Sequence, residues 1–318
     1  MIGKSKFKDL ISGSFILVTI LITLLTITGH LGKFNYILDM TAHFKVQYLI
    51  VGFCPFFFFL LTRNKLWWII SLSCIFLNLM EVVPWYLPPA AIAQETKSGQ
   101  LRVLISNVLF KNKNYAAVIS LVRKENPDVA VFVEVGKVWN QELTVLKDLL
   151  PYHVVSQDSP RFGITLYSKL PLENVSIEEF QGSRKTIVAA IKFQGKEITV
   201  IGTHPSYPIR KSGFLQRNLQ LEAMADYLKK NKNPVILMGD FNITMWSPIY
   251  QRFIQETQLE NARFGFGVQP TWPSSLPLLA IPIDHCLVSG NIQVIKSRIG
   301  RDVGSDHLPI ITDLAIGD

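Results

Sequence analysis

The sequence predicts an α/β fold of two β-sheets packed face to face with helices outside, preceded by an N-terminal transmembrane helical region. Three apolar stretches fill most of the first 94 residues, which hold only seven basic and three acidic residues. From residue 101 onward, short β-rich runs alternate with amphipathic helices, and the strands outnumber the helices. Such a pattern favours packed sheets covered by helices. We therefore expect a membrane anchor over residues 1–94 and a second domain over residues 95–318.

The apolar stretches predicted to cross the membrane lie at residues 14–29, 47–62 and 66–87. A spanning helix needs roughly 20 apolar residues, so the first two stretches reach that length only with their polar flanks. The alternatives are buried core helices or, for the first stretch, a signal peptide. No small-residue cleavage site follows the first stretch, and two further apolar segments do, which favours three spans.

The basic residues beside these stretches predict an inside amino terminus and an outside carboxy-terminal domain. Five of the seven lie before the first stretch or in the short loop between the second and third, whereas the longer remaining loop holds only Lys33 and Lys45. In a bacterial-type cell the second domain would then lie on the periplasmic or extracytoplasmic side. The reverse orientation stays open because the bias is modest.

The second domain shows nine strand-like runs and two long helices. The run at residues 128–134 is almost continuously apolar, as expected for a strand covered on both faces. Strands are predicted at residues 101–107, 128–134, 162–167, 187–193, 198–203, 235–239, 283–288, 292–297 and 308–314, and helices at residues 115–125 and 214–230. This domain carries half of the net charge of +8, which is too little to indicate a nucleic-acid partner by itself.

Several of these strands end in polar side chains that together suit phosphoester cleavage. Such cleavage needs a water placed in line and positive charge beside the phosphoryl oxygens, which hard divalent ions supply. Glu134 ends an apolar strand and is the expected anchoring ligand for Mg²⁺, with Asn107 and Asp306 as further oxygen donors. Each residue alone would be an ordinary solvated strand end, so the interpretation depends on their joint occurrence.

Two further groups would act on the water and the phosphate. Asp240 and Asn242 leave one strand end two positions apart, so both are expected to face one substrate. Asp240 can accept a proton from water, and Asn242 can donate hydrogen bonds. We pair Asp284 with His307, because a hydrogen-bonded carboxylate fixes the imidazole tautomer and favours its protonated form. His204 supplies a second imidazole at a strand end.

These motifs resemble those of the endonuclease/exonuclease/phosphatase superfamily, which includes deoxyribonuclease I, exonuclease III, neutral sphingomyelinases and inositol polyphosphate 5-phosphatases. The resemblance covers about residues 100 to 316 and implies a four-layered α/β sandwich. It also implies hydrolysis of a phosphodiester or phosphomonoester with Mg²⁺, or alternatively Mn²⁺. The motifs, in family order, are Ser106-Asn107, Val133-Glu134, Thr203-His204-Pro205, Gly239-Asp240-Phe241-Asn242, Ile283-Asp284-His285 and Gly304-Ser305-Asp306-His307.

The resemblance implies a role for each site residue. The implied metal ligands are Asn107, Glu134 and Asp306, and the implied catalytic residues are His204, Asp240, Asn242, Asp284 and His307. Both catalytic histidines would contact the scissile phosphate, with Asp284 orienting His307 and Asn242 binding the phosphate. The base stays open between Asp240 and His307, since members of the superfamily differ here. His285 is interpreted as structural, because strand alternation turns it away from Asp284.

The substrate is not named by the resemblance, since one such site cleaves nucleic acids, lipids and soluble phosphates. The apolar, proline-rich loop at residues 269–282 suggests, with Trp246, a rim that admits a phospholipid or sphingolipid head group. The alternative is a loop that packs on the domain. Arg210, Lys211 and Arg217 would suit the phosphates of a nucleic acid, or would form a solvated helix face.

The function expected from the sequence is that of a membrane-anchored, Mg²⁺-dependent phosphoesterase, with a phosphodiester favoured over a monoester. The alternative from another class is a catalytically silent, membrane-anchored binding or scaffold protein. That alternative is disfavoured because every polar position of the site is filled. The sequence leaves the oligomeric state open.

Overall fold

The computed structural model describes residues 4–88, 99–157, 161–181 and 184–317. The chain divides into two compact units, which are described separately. The helical unit comprises Met1–Pro84 and Trp246–Ile249, and the α/β unit comprises Trp85–Met245 and Tyr250–Asp318. The domain boundary expected between residues 94 and 95 lies outside the described residues.

The helical unit contains three segments that are long and apolar enough to cross a membrane. These candidate spans are Lys8–Gly29, Tyr36–Leu61 and Lys65–Tyr86. The α-helices of the unit are α1 (Lys4–Gly29), α2 (Tyr36–Thr41), α3 (Lys45–Leu61) and α4 (Lys65–Val82). Many of their apolar side chains are exposed, among them Leu17 and Leu61. Helices that are apolar on every face are typical of membrane spans.

Polar side chains inside the helical unit contact one another and the segment Trp246–Ile249. The Nζ atom of the buried Lys45 lies 3.1 Å from Glu81 Oε1. Trp246 is buried, and its indole Nε1 donates a hydrogen bond to the Glu81 carbonyl oxygen at 3.1 Å. The Ser247 hydroxyl donates to Asp39 Oδ1 at 2.5 Å. The hypothesis that Trp246 belongs to an exposed rim is therefore wrong, because its indole is buried and paired.

The α/β unit contains two six-stranded sheets. Its strands are β1 (Gln100–Asn107), β2 (Val129–Val133), β3 (Tyr152–Ser156), β4 (Ile164–Ser168), β5 (Glu173–Glu178), β6 (Thr186–Phe193), β7 (Lys196–Thr203), β8 (Val235–Asp240), β9 (Leu259–Asn261), β10 (Asp284–Ser289), β11 (Ile292–Ile299) and β12 (Ile310–Ile316). The strand order is β11-β12-β1-β2-β4-β3 in the first sheet and β5-β6-β7-β8-β10-β9 in the second.

The two sheets pack face to face and helices cover their outer faces, which confirms the predicted four-layered α/β sandwich. The helices are α5 (Tyr115–Glu125), α6 (Lys137–Glu142), α7 (Lys211–Leu228) and α8 (Pro248–Thr257). Val131 of β2 lies in the core between the sheets, whereas the next residue, Phe132, packs outside with Leu121 of α5. On the second sheet, the Gln220 amide of α7 donates to the Thr186 hydroxyl of β6 at 3.3 Å. Because both faces of β2 are covered, its sequence is apolar without alternation.

Among the described residues of the α/β unit, the structure adds three strands and two α-helices to the sequence prediction. The strands are β3, β5 and β9, and the helices are α6 and α8. In β5, which lies at a sheet edge, Val175 and Ile177 are 43% and 45% exposed and the other residues are polar. β9 has only three residues. Short or exposed strands carry little hydrophobic periodicity, so the sequence pattern does not reveal them.

Two parallel strand pairs bring the predicted site residues to one edge. β1 runs parallel to β2, and β7 runs parallel to β8, whereas the other strand pairs of the two sheets are antiparallel. The carboxyl ends of these four strands carry Asn107, Glu134, His204 and Asp240. The antiparallel strand β10 begins at the same edge, where Asp284 is the register partner of Asp240.

Candidate active site

The eight predicted site residues lie in one cluster of the α/β unit. Each is linked to at least one other by a hydrogen bond or a charge interaction. The residues are Asn107, Glu134, His204, Asp240, Asn242, Asp284, Asp306 and His307. The sequence interpretation thus identified residues that the fold brings together.

A glycine sets the spacing of the two strands that carry His204 and Asp240. A Cβ atom at Gly239 would lie 1.9 Å from the carbonyl oxygen of Thr203, the register partner of Gly239 across β7 and β8. No side chain fits at that separation, so the close approach requires glycine. Gly239 therefore lets β7 and β8 lie close together, which keeps His204 and Asp240 side by side.

Two site residues have left-handed backbone conformations. Glu134 has a φ of 59° and Asn242 a φ of 52°, a region that residues other than glycine seldom occupy. The Asn242 N–H donates to Asp240 Oδ1 at 2.9 Å, which holds this turn in place. Such conformations cluster at functional sites, because the surrounding structure must stabilise them.

Asn107, Glu134 and Asp306 form what we call the carboxylate half of the site. The Asn107 amide donates to Glu134 Oε1 and to Asp240 Oδ2, both at 3.1 Å. Its carbonyl oxygen accepts from the Leu109 N–H at 3.0 Å. Burial raises the pKa of Glu134, and the hydrogen bond from Asn107 opposes that rise. In this arrangement Asn107 joins two carboxylates through its amide nitrogen.

The carboxylate half fits a divalent cation. Asp306 Oδ1 is buried and has no hydrogen-bond partner among the described residues, whereas Asp306 Oδ2 accepts from the Trp272 indole at 3.1 Å. The charge of Asp306 also raises the pKa of Glu134, because like charges repel. A cation between them would remove that repulsion. Carboxylate oxygens are the donors that Mg²⁺ prefers.

His204, Asp284 and His307 form the imidazole half of the site. His307 Nδ1 lies 2.8 Å from Asp284 Oδ2, as the sequence pairing predicted, and His307 Nε2 lies 3.7 Å from Asp240 Oδ2. Burial alone would lower the pKa of His307, but the charges of Asp284 and Asp240 raise it to about 10. Burial raises the pKa of Asp240 to about 7, against the opposing charge of His307. His307 is therefore an imidazolium at neutral pH.

Asp240, Asp284 and His307 also offer ligand atoms that lie within 4.8 Å of one another, close enough to hold a metal ion together. A doubly protonated imidazole has no lone pair for a metal. Because both ring nitrogens of His307 face carboxylates, this group is better explained as an ion-paired cluster. Asp306 Oδ1 and Asp284 Oδ1 are both buried without a hydrogen-bond partner among the described residues, so the ion pairing of His307 is what makes the carboxylate half the stronger candidate for the metal site.

A sequence model of the Endonuclease/Exonuclease/phosphatase family matches residues 104–307, which is more than half of the chain and reaches from β1 to His307. The chain belongs to the endonuclease/exonuclease/phosphatase family. The resemblance inferred from the motifs is thereby confirmed. Membership supports a phosphoesterase of the nuclease and phosphatase class. No curated protein matches the sequence significantly.

Several solved structures resemble the α/β unit of this chain. An endonuclease/exonuclease/phosphatase from Beutenbergia cavernae aligns with a TM-score of 0.58 at 20% identity, covering 69% of this chain and 72% of its own. The human Nocturnin catalytic domain aligns with a TM-score of 0.58 at 16% identity, covering 68% and 94%. TDP2 of D. rerio, solved with a single-strand DNA product, aligns with a TM-score of 0.57 at 16% identity, covering 68% and 99%. At these identities the likeness shows the fold.

Arg184 is a charged residue of the site that the sequence analysis did not identify. Arg184 is buried, and its Nη1 atom lies 3.1 Å from His204 Nε2. Its guanidinium stacks over the Phe162 ring at 4.1 Å and lies 5.5 Å from the Tyr207 ring. Burial lowers the pKa of His204 well below its usual value, and the charge of Arg184 lowers it further. The site therefore pairs a neutral His204 with a fixed cation.

A second arginine, to which the sequence analysis gave a different role, supports the Asn242 turn. Arg217 of α7 is fully buried, and its Nη1 donates to the Asn242 carbonyl oxygen at 3.1 Å. The Asn242 side-chain amide in turn donates to the Pro205 carbonyl oxygen at 3.0 Å. Neither alternative considered for Arg217, a phosphate contact or a solvated helix face, agrees with this position. Its role could not be read from the sequence, because helical spacing does not show which arginine is buried.

His285 lies on the other face of β10 from Asp284. It is fully buried, its Nε2 donates to the Ile243 carbonyl oxygen at 2.8 Å, and its Nδ1 accepts from the Asn261 amide at 3.0 Å. Burial lowers the pKa of His285 well below its usual value. The neutral ring thus links β9, β10 and the segment after Asn242, as its structural interpretation predicted.

Proposed function

We propose that the chain is a membrane-anchored, Mg²⁺-dependent phosphodiesterase whose active site is the cluster in the α/β unit. The observation that carries the proposal is the contrast on either side of Asp240. On one side lies an oxygen-rich site without a cationic side chain among the described residues, where Asp306 Oδ1 is unpartnered. On the other lies an imidazolium held by Asp284 Oδ2, with Asp284 Oδ1 also unpartnered. A phosphoryl group between them would meet a cation site and a proton donor together.

Glu134 and Asp306 would hold the metal, with Asn107 beside them. Bound Mg²⁺, or Mn²⁺ in its place, supplies positive charge to the phosphoryl oxygens. The Asn107 amide keeps the carboxylates of Glu134 and Asp240 at a fixed spacing through its two hydrogen bonds. The metal-holding carboxylate and the carboxylate that acts on water are therefore positioned by one side chain.

Asp240 is the base in this proposal. A pKa raised to about 7 by burial lets its Oδ2 atom take a proton from the attacking water near neutral pH. His307 cannot serve as that base while it is an imidazolium. It instead donates from Nε2 to a phosphate oxygen and can pass that proton to the leaving oxygen, while Asp284 holds Nδ1.

His204 and Arg184 would bind the remaining phosphoryl oxygens. The neutral His204 ring can donate one hydrogen bond without adding charge, and Arg184 offers a guanidinium fixed by the Phe162 and Tyr207 rings. Planar guanidinium groups bind phosphate through paired hydrogen bonds. Asn242 would donate to the phosphate only if its amide turned from the Pro205 carbonyl, so its present contact favours a role in shaping the turn.

The substrate class and the membrane setting are parts of the same proposal. The TDP2 complex with a single-strand DNA product makes a nucleic acid one candidate substrate, and the apolar loop at residues 269–282 makes a phospholipid or sphingolipid head group the other. The candidate spans would anchor the chain over residues 1–94, joined to a catalytic domain over residues 95–318. The distribution of basic residues would place that domain on the extracytoplasmic side.

Hydrolysis of bis(p-nitrophenyl) phosphate by the full chain in detergent tests the proposal. We expect Mg²⁺-dependent turnover that chelation abolishes and added Mg²⁺ restores. Asp240→Asn should lower kcat by about 10³-fold, because the base is removed while the shape is kept. Asp226→Asn, which alters an exposed aspartate of α7, is the matched control and should keep full activity.

Two results would overturn the proposal. The first is hydrolysis that persists unchanged in Asp240→Asn or in the presence of chelator. The second is a folded, Mg²⁺-loaded protein that cleaves none of a panel of soluble, nucleotide, DNA and lipid phosphodiesters. The second result would favour the silent scaffold instead.

A further inference from the structure

An exposed apolar tip lies in the loop that borders the carboxylate half of the site. Leu276, Leu278 and Leu279 are 54%, 85% and 53% exposed; Leu276 directly precedes the 3-10 helix Pro277–Leu279, which carries the other two. We call Leu276–Leu279 the leucine tip. The surrounding sequence from residue 270 to residue 283 holds no charged side chain. Clustered exposed apolar side chains of this kind mark contact surfaces.

The loop is attached to the site through its base. The backbone of Trp272 pairs with that of Ile281, which closes the loop like a hairpin. The Ser274 N–H donates to the Asp306 carbonyl oxygen at 2.8 Å, and the Ser274 hydroxyl donates to the Ser305 carbonyl oxygen at 2.8 Å. The leucine tip is thus an ordered projection fixed to the segment that carries Asp306.

The Trp272 side chain bridges the apolar loop and the site. Its indole is 37% exposed, donates to Asp306 Oδ2 at 3.1 Å and lies 6.3 Å from the His307 ring. An indole with one polar contact and an exposed apolar body suits the interface between lipid and water. The polarity of the side chains therefore increases along the loop, from the apolar leucine tip through the amphipathic Trp272 to the charged Asp306. A phospholipid shows the same order from its acyl chains to its phosphodiester.

The chain itself makes a bilayer the occupant to consider first. The third candidate span ends at Tyr86, and β1 begins at Gln100. The thirteen intervening residues can reach at most roughly 45 Å, even when fully extended. If the spans cross a membrane, as proposed above, the α/β unit cannot move far from its surface. A bilayer is then present at high local concentration, which no soluble partner would match.

We propose that the leucine tip inserts into the bilayer and that the substrate is the phosphodiester of a membrane lipid head group. This inference rests on the proposed function, since it names the substrate of the same site. The three leucine side chains would enter the acyl boundary, as apolar residues of interfacial elements do. Trp272 would lie at head-group depth, and Asp306 would face the phosphodiester from the aqueous side.

A depth measurement tests the insertion without relying on activity. In a Cys54→Ser background, Leu278→Cys labelled with the polarity-sensitive fluorophore NBD is reconstituted as the full chain in phosphatidylcholine/phosphatidylglycerol vesicles. The label should shift to shorter wavelength and be quenched by doxyl-labelled lipid. Val175→Cys, at an exposed apolar position of the edge strand β5, is the matched control and should show neither change. Equal behaviour of the two labels overturns the inference.

Hydrolysis by the same reconstituted protein tests the substrate class. Replacement of all three tip leucines by serine should lower cleavage of vesicle phospholipid about tenfold or more and change cleavage of bis(p-nitrophenyl) phosphate by less than about twofold. The control is Val175→Ser with Ile177→Ser, an exposed apolar pair outside the loop. An equal loss on both substrates, or no loss on vesicles, overturns the inference.

The two proposals fail in different ways. A wild-type protein that cleaves the soluble ester but no vesicle phospholipid overturns the lipid inference and leaves the phosphodiesterase intact. If that protein nicks plasmid DNA and the serine variant does so equally well, the substrate is a nucleic acid. A wild-type protein that cleaves neither ester nor lipid overturns the proposed function itself.

Discussion

The carboxylate half and the imidazole half of the site both contain acidic side chains, but in different surroundings: Glu134 and Asp306 are partly buried, whereas Asp284 is fully buried. In the carboxylate half, Asp306 keeps an oxygen without a partner, and Glu134 resists ionisation because it is buried beside another acid. In the imidazole half, Asp284 is ion-paired with His307, whose pKa rises to about 10. The imidazole half contains the cation His307, whereas the carboxylate half holds no cationic side chain, although each half has one carboxylate oxygen without a partner in the described part of the chain, Asp284 Oδ1 and Asp306 Oδ1. We therefore propose the carboxylate half as the metal site.

Asp240 separates the two halves and contacts both. Its Oδ2 atom accepts from Asn107 and lies 3.6 Å from His204 Nε2 and 3.7 Å from His307 Nε2. Its pKa is raised by burial and held down by the His307 charge, so it stays within reach of neutral pH. We therefore expect substitutions in the carboxylate half to change metal affinity and substitutions in the imidazole half to change turnover.

Loss of the imidazolium should have the largest effect on turnover. His307→Gln removes the protonated donor and should lower kcat by about 10³-fold. Mg²⁺ affinity should stay near the wild-type value, because the carboxylate half is untouched. Steady-state kinetics and calorimetric Mg²⁺ titration measure the two quantities. His153→Gln, in the edge strand β3, is the control. A parallel loss of metal affinity would show that the halves are not separate.

A methyl group at the strand contact should disturb both halves together. Gly239→Ala places a Cβ against the Thr203 carbonyl, so β7 and β8 must separate, and we expect a loss of about 3 kcal/mol of stability. Activity should fall by about 10²-fold, because His204 and Asp240 move apart. Thermal unfolding and ester hydrolysis test this against Gly290→Ala, whose nearest neighbour lies at an ordinary 3.5 Å. Equal stability of the two variants would contradict the explanation.

Removal of the guanidinium beside His204 should mainly weaken substrate binding. Arg184→Gln should raise KM about tenfold and lower kcat less, because a charged phosphate contact is lost while base and metal remain. Arg184→Lys should restore part of the loss, since it returns the charge without the planar fork. Steady-state kinetics that determine KM and kcat separately test this assignment. A change in kcat alone would place Arg184 outside the phosphate contacts.

The smallest effect is expected from the support of the Asn242 turn. Arg217→Gln removes a hydrogen bond to the Asn242 carbonyl and should lower kcat about fivefold, because the turn is weakened while the base, the metal ligands and the phosphate contacts remain. Arg210→Gln, an exposed change just before α7, should be neutral. If both variants behave alike, the turn does not depend on Arg217.

The sequence predicted those features that follow from strand ends and alternation. Asp284 and His307 could be paired because a carboxylate beside an imidazole fixes its tautomer and favours its protonated form, and His285 could be turned away by alternation along β10. The edge strand β5 was not predicted because its residues are polar or exposed. Arg184 was not identified, and Arg217 was assigned the wrong role, for a different reason. Each has a long side chain buried against elements distant in sequence, and no local pattern shows that burial.

Calorimetric titration of the full chain with Mg²⁺ tests the central claim most directly. Glu134→Gln should weaken Mg²⁺ binding by about a hundredfold, whereas Asp284→Asn should change it by less than about threefold. Both substitutions remove one carboxylate charge of the site and keep the shape of the side chain, so each serves as the control for the other. The opposite result, with binding lost in Asp284→Asn and kept in Glu134→Gln, would place the metal among Asp240, Asp284 and His307 and contradict the account.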